Sequence, residues 1–357
     1  MKQRLLALAV SSVALGLGVA GPAMADVPVQ AVEQIAGNEQ SAESSAESTQ
    51  VNPTNQNISV RVLSPGDNGS VTQTNSSSAE SFAGNSNDTT QGVGQTQAGG
   101  GGTGIQEAGQ LAGNEQWADS EAKSVQVKPT NQNISVRVLS PGDDGDVKQT
   151  NESEAKSVAF NKNELDQAVE QVQGRKCCAP APHPRMYDAS KDADGHDDCG
   201  CSGVGIQAAG QEAYSKQGAW SSAESKQIKP ENKNLSVRVK SPGDDGDVKQ
   251  ENESEAFSKA LNSNDTTQAI RQYQIDGRCE CRHGVGIQAA GQKAVNWQGA
   301  ESSAESTQIK PENKSLSLRF KSEGGGGDLY QANSSFAGSF AGNRNDLTQY
   351  VRQSQGS

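Results

Sequence analysis

Thiol and imidazole are the side chains here best suited to hold a metal or form a covalent link, and two short stretches contain all of them. Cys177, Cys178, His183, His196, Cys199 and Cys201 lie within 174–205, and Cys279, Cys281 and His283 within 275–286. For an exported chain an even Cys count reads first as disulfides, with fifteen pairings open to six thiols. Zinc or copper is the rival reading, because thiolate and imidazole suit both ions. The Cys-x-Cys spacing of Cys199–Cys201 and Cys279–Cys281 is not the Cys-x-x-Cys of common zinc sites. Between them, Asp188 to Asp198 is dense in carboxylates, and Asp192-x-Asp194-Gly195 echoes a calcium loop. It lacks the distal Glu of an EF-hand, so it reads as a solvated acidic loop. The pairs Asp143-Asp144 and Asp244-Asp245 invite the same calcium reading and the same discount.

Catalysis is not expected. The sequence has no Gly-x-Ser-x-Gly elbow, no His-Glu-x-x-His and no phosphate loop, and imidazoles in linkers have nothing to preorganise them. The Gly runs 99–102 and 324–327 lack a following Lys and Ser or Thr and read as spacer and turn. No cofactor is expected beyond the calcium or zinc just weighed.

These linkers separate something much more regular. Aligning the chain on itself gives four units, 29–97, 105–173, 206–274 and 287–355, each of 69 residues without insertions. Segment 98–104 is a Gly-rich linker, and 1–25 reads as a secretory signal: Lys2 and Arg4, an apolar run to Ala20, then Ala23-Met24-Ala25 as a cleavage site. Losing Lys2 and Arg4 moves the formal charge from −12 to −14, which disfavours nucleic acid and anionic lipid as partners. No second apolar run is long enough to anchor the chain in a membrane.

Within a unit the side chains alternate. Gln73, Asn75, Ala79, Asn85 and Gln91 recur as Gln149, Asn151, Asn161 and Gln167, as Gln250, Asn252, Asn262 and Gln268, and as Gln331, Asn333, Asn343 and Gln349. The residues between them vary freely. A period of two is that of an extended strand, so the constant face is the packed one. The first arm alternates likewise through Gln106, Ala108, Gln110 and Ala112 to Gln126. A break at 128–131 leads to a short strand of ordinary β-formers, Ile134 to Val138. The turn Ser140-Pro141-Gly142-Asp143-Asp144-Gly145 follows, and alternation resumes in the opposite parity. A further break is expected at 83–88, where Gly and Asn can turn the chain, giving strands of about five to ten residues. Because 69 is three times 23, three coils per unit is a further expectation.

The expected fold is all-β, tandem-repeat stacked strands, solenoid-like or amyloid-like. Stacked units would set Gln over Gln and Asn over Asn about 4.8 Å apart, in amide ladders that satisfy their own polar groups. The alternative is disorder, since 32% hydrophobic and 4% aromatic residues supply little apolar area.

Alternating Gln, Asn, Ala and Ser in strand-turn-strand repeats after a secretion signal resembles the curlin-type subunits of bacterial extracellular amyloid fibres. It also resembles a wider set of secreted Gln/Asn/Ala-rich repeat proteins. The expectation is an exported structural protein of an extracellular matrix, coat or surface layer that self-associates by strand stacking. The alternative is a secreted metal- or ligand-binding module that uses the Cys and His linkers and keeps the repeats as a spacer. A flat face binding ice or glycan is disfavoured, because the variable face carries no regular Thr or aromatic array.

Overall fold

The computed structural model describes residues 28–99, 104–175, 204–275 and 285–356. Each of these four segments makes three strands. They are β1 (Val29–Val51), β2 (Thr54–Val62) and β3 (Val71–Gly99); β4 (Gly104–Val127), β5 (Thr130–Val138) and β6 (Val147–Arg175); β7 (Val204–Ile228), β8 (Glu231–Val239) and β9 (Val248–Ile275); and β10 (Val285–Ile309), β11 (Glu312–Phe320) and β12 (Leu329–Gln355). No helix occurs among the described residues.

Counterpart strands stack into three parallel sheets, ordered β1-β4-β7-β10, β2-β5-β8-β11 and β3-β6-β9-β12. The fold is therefore an all-β, solenoid-like stack of tandem repeats rather than a disordered chain. Val29 lies opposite Ile105, Ile105 opposite Ile206, and Ile206 opposite Ile287. Each segment forms one layer, and each residue pairs with its own counterpart in the layers above and below.

Two expectations fail against this register. A layer takes a whole unit, not a third of one, so the factor of 23 has no structural meaning. The break at 83–88 is also absent: β3 runs 29 residues through it without interruption. The cause lies in where the hydrogen bonds go. Backbone groups at Gly84 and Asn85 bond to the layer above at Phe160 and Asn161, not to a hairpin partner, so residues able to turn are not made to turn.

Within a layer the two long strands run antiparallel, face to face. Gln34 Nε2 donates to the Gly92 carbonyl at 2.9 Å, and Ser48 meets Ser77 Oγ to Oγ at 2.9 Å. Even-numbered side chains of β1 and odd-numbered ones of β3 fill the space between, which is why the sequence changes parity at the turn. Little of that interior is oily. Its apolar part is largely Ala, as in the cluster Ala79, Ala122, Ala155, Ala223 and Ala256, flanked by Ala46 and Ala304. Small side chains let two long sheets approach closely.

The short strands close one end of each layer through two corners. At the first, Asn52, Lys128, Lys229 and Lys310 take positive φ; at the second, Leu63, Leu139, Lys240 and Lys321 do. Four stacked non-glycine residues in the left-handed region at each corner are a local cost that the inter-layer bonds offset, such as Lys128 N to the Ile228 carbonyl at 2.7 Å. Glycine is demanded in the turn that follows. Gly142 has φ of 131°, and a Cβ there would lie closer than 3.0 Å to the Gly66 carbonyl one layer away.

Glycine substitutions separate these roles. Gly142→Ala is expected to destabilise the stack by at least about 1–3 kcal/mol. Gly210→Ala, with nothing within 4 Å of the added methyl, is expected to be neutral or to stabilise by up to about 1 kcal/mol. Urea-denaturation midpoints of the two variants check both.

Candidate functional site: the polar interior and the two ends of the stack

The constant face of the repeats is the interior. Gln73, Asn75, Ala79, Asn85 and Gln91 are buried in β3, as are their counterparts in β6 and β9. Gln149, Asn151, Asn161, Gln250, Asn252 and Gln268 have exposures of 0–2%, together with Gln167 and Asn262. Burial of so many amides is tolerable only if each is hydrogen-bonded. The layer spacing supplies the bonds for these residues, while Asn114 in β4 is buried with neither Nδ2 nor Oδ1 paired. Gln149 Nε2 donates to Gln73 Oε1 at 2.8 Å, and Gln250 Nε2 to Gln149 Oε1 at 2.8 Å. Asn75 Nδ2 donates to Asn151 Oδ1 at 3.0 Å, and Asn151 Nδ2 to Asn252 Oδ1 at 2.9 Å. In β12 the face opens to solvent: Gln331, Asn333, Asn343 and Gln349 are exposed, because no further layer among the described residues covers them.

Serine adds a second kind of ladder, which crosses between the facing sheets. Hydroxyls of Ser48, Ser77, Ser124, Ser153, Ser225, Ser254, Ser306 and Ser335 form an unbroken zigzag through all four layers, with steps of 2.8–3.0 Å. A hydroxyl donates once and accepts twice, so it can link in both directions along such a column.

A charged column in the short-strand sheet went unseen in the sequence. Arg137 and Arg238 are fully buried. Arg137 Nε donates to Asp144 Oδ1 at 2.8 Å, and Arg238 Nε to Asp245 Oδ1 at 2.7 Å. Each inner carboxylate also serves the next layer: Arg238 Nη2 lies 3.1 Å from Asp144 Oδ2, and Arg319 Nε lies 3.3 Å from Asp245 Oδ2. Asp144 and Asp245 are thus partners of buried guanidiniums and not the solvated turn residues their composition suggests. The first layer has Asn68 in their place, bonded to Arg61 Nε at 2.7 Å. The signal available in the sequence was a lone Arg at one fixed position of every short strand.

Burial is the largest single influence on the Asp144 carboxyl and pushes its pKa up. The hydrogen bonds from Arg137 and Ser135 and the charge of Arg238 together outweigh it, and the net direction is down. Asp245 behaves alike: burial raises its pKa, and Arg319, Ser317 and Arg238 bring it below the ordinary value.

On the outer face of the β1-β4-β7-β10 sheet the three tryptophans of the chain gather, one from each of the last three layers. Trp117 and Trp220 stack at 5.1 Å with planes 7° apart, and Trp297 tilts against Trp117 at 6.3 Å. Lys216 Nζ sits 4.6 Å from the Trp117 ring and 3.1 Å from Glu115. Gly218 makes room beneath, since a Cβ there would meet both the Trp117 and Trp220 rings. The variable face was expected to carry no regular aromatic array. The cluster is local, and its members fall in different register columns.

Cys177, Cys178, His183, His196, Cys199, Cys201, Cys279, Cys281 and His283 lie outside the described residues, as do the acidic segment 188–198 and residues 1–25. The strands before the two Cys-bearing linkers end at Arg175 and Ile275 and those after them begin at Val204 and Val285; Ile275 lies opposite Gly174 and Val285 opposite Val204, so these ends lie at the same edge. Among the described residues no group of three or more His, Cys, Asp or Glu converges as a metal site would require.

A scan against protein-family models and searches of curated proteins and of solved structures gave no match to this chain. The likeness to curlin-type subunits rests on the residue pattern alone.

Two predictions follow from the interior. Gln167→Leu leaves Gln91 Oε1 without its donor and removes the acceptor of Gln268. It is expected to cost about 1–3 kcal/mol in thermal denaturation, against under about 0.5 kcal/mol for exposed Gln56→Leu. A carboxylate with a lowered folded pKa stabilises the fold above its unfolded value, near 3.8, and the contribution is lost as pH falls through the lower folded value. The wild-type chain is therefore expected to lose stability below about pH 4, and Asp144→Asn with Asp245→Asn to flatten that dependence in an acid titration followed by circular dichroism.

Proposed function

We propose that this is an exported structural protein that self-associates by strand stacking, as a building block of an extracellular matrix, coat or surface layer. The observation that carries the reading is the contrast between the inside of the stack and its ends. In the second and third layers, the interior Gln positions are closed by ladders on both sides. The edges formed by β1, β2 and β3 and by β10, β11 and β12 have no strand beyond them among the described residues. Such long edges, flat and in register with the interior, are templates for a further chain. Completing them costs no new fold, because the joint repeats a contact each chain already makes three times. The leader-like segment 1–25 and the net negative charge fit an exported product.

The Cys linkers support the same reading. Both are tethered at one edge of neighbouring layers, where a disulfide between them would staple those layers; reductant is then expected to lower the melting temperature of exported material. The tethering favours such staples over a ligand-binding module that uses the repeats as a spacer.

The proposal is tested on the mature chain by sedimentation across concentrations, negative-stain microscopy and diffraction from aligned assemblies. It expects assemblies with a meridional spacing near about 4.7 Å. A chain that is rich in strand by circular dichroism yet stays monomeric at every concentration removes it.

A further inference from the structure

We infer that copies of this chain join head to tail, the β10-β11-β12 end of one molecule against the β1-β2-β3 end of the next. This rests on the self-association reading and adds a direction to it. The direction comes from the amide ladders, which are polar. In each of the eight interior Gln columns the later layer donates to the earlier, as in Gln106 to Gln30 at 3.1 Å, Gln207 to Gln106 at 2.9 Å and Gln288 to Gln207 at 2.9 Å. The Asn columns that begin at Asn55, Asn75, Asn85 and Asn87 run the other way, as in Asn85 to Asn161, Asn161 to Asn262 and Asn262 to Asn343, each at 2.9 Å, whereas Asn114 makes no such bond.

The backbone of the facing sheet holds these directions. The second proton of Gln211 Nε2 goes to the Ala269 carbonyl at 3.2 Å, and that of Asn161 Nδ2 to the Gly218 carbonyl at 2.7 Å. Turning either amide over would press oxygen against oxygen. The first layer consequently presents Gln Nε2 donors and Asn Oδ1 acceptors outward, and the last layer presents Gln Oε1 acceptors and Asn Nδ2 donors. Only unlike ends match. Two like ends would bring strand edges together antiparallel, against the parallel pairing of every sheet here, and would not set residues over their own counterparts.

Two further columns are unfinished in the complementary sense. Val93, Val169 and Ile270 are 6%, 2% and 0% exposed, whereas Val351 in the same column is 46% exposed. At the other end Val32, above the Ala108 column, is 39% exposed. Arg137 and Arg238 each reach back through Nη1 to the turn glycine of the preceding layer, Gly66 and Gly142, at 2.8 Å. Arg61 has no preceding layer among the described residues, and Gly324 is the matching glycine of the last layer. Head-to-tail contact brings the two together.

The test blocks one end at a time. Val32→Lys places a charge on the first end and Val351→Lys on the last, both at positions already open to solvent. Gln30→Lys and Leu347→Lys serve as a second pair, and circular dichroism confirms that each variant keeps its strands. The expected result is that each single variant sediments as a monomer and that an equal mixture gives particles of twice the monomer mass, each holding one copy of both. Dimers formed by either variant alone, with no mixed dimer, overturn the polarity. Fibres formed by either variant alone overturn the ends as the joint. Wild-type chain that stays monomeric beside them removes the self-association reading itself, and the inference with it.

Discussion

The structure depends on one constraint: every residue must lie directly over its counterpart one unit away. A buried amide in a sheet meets its hydrogen-bonding needs here from an identical amide about 4.8 Å above, another below, and a backbone carbonyl of the facing sheet. Gln149, held between Gln73 and Gln250, shows the arrangement. The same constraint forbids insertions within a unit, because one added residue would turn that layer's constant face outward and leave amides unpaired there and in the adjoining layers. Length changes are confined to the linkers, and there the four units do differ.

The composition becomes intelligible in this light. A conventional core would need apolar area that the chain lacks, and Ala clusters alone bury too little to hold sheets of 23–29 residues together. The polar ladders supply cohesion that oil would supply elsewhere, and Ala and Ser keep the facing sheets close enough for amides to reach the opposite backbone. At the narrow end of each layer the Arg column solves the harder problem of buried charge. Each guanidinium between two layers finds a carboxylate and turn carbonyls at fixed distance, so no inner charge is left alone.

Much of this was legible in the sequence, and the rest was hidden for specific reasons. Alternation with period two marked the packed face at Gln73 to Gln91, because a strand offers only two faces. The short strand Ile134 to Val138 and the turn after it were readable from β-branched residues and from Pro and Gly. The missing break at 83–88 was misread because Gly and Asn signal turns only where bonding is local, and here it is between layers. Asp144 looked solvated because its partners Arg137 and Arg238 are seven residues before it and one layer later. The tryptophan cluster was invisible to column reading: Trp117 lies opposite Gly218, and Trp220 opposite Asp119.

The central claim is that counterparts stack one layer apart. It is tested most directly by nitroxide pairs on the outer face, in a chain whose six native cysteines are replaced by Ser. Thr90→Cys, Asp166→Cys and Thr267→Cys fall in one column of consecutive layers. The account predicts backbone separations of about 4.8 Å for the first pair and about twice that between Thr90 and Thr267, despite their distance in sequence. Broad separations that grow with the number of intervening residues would contradict it.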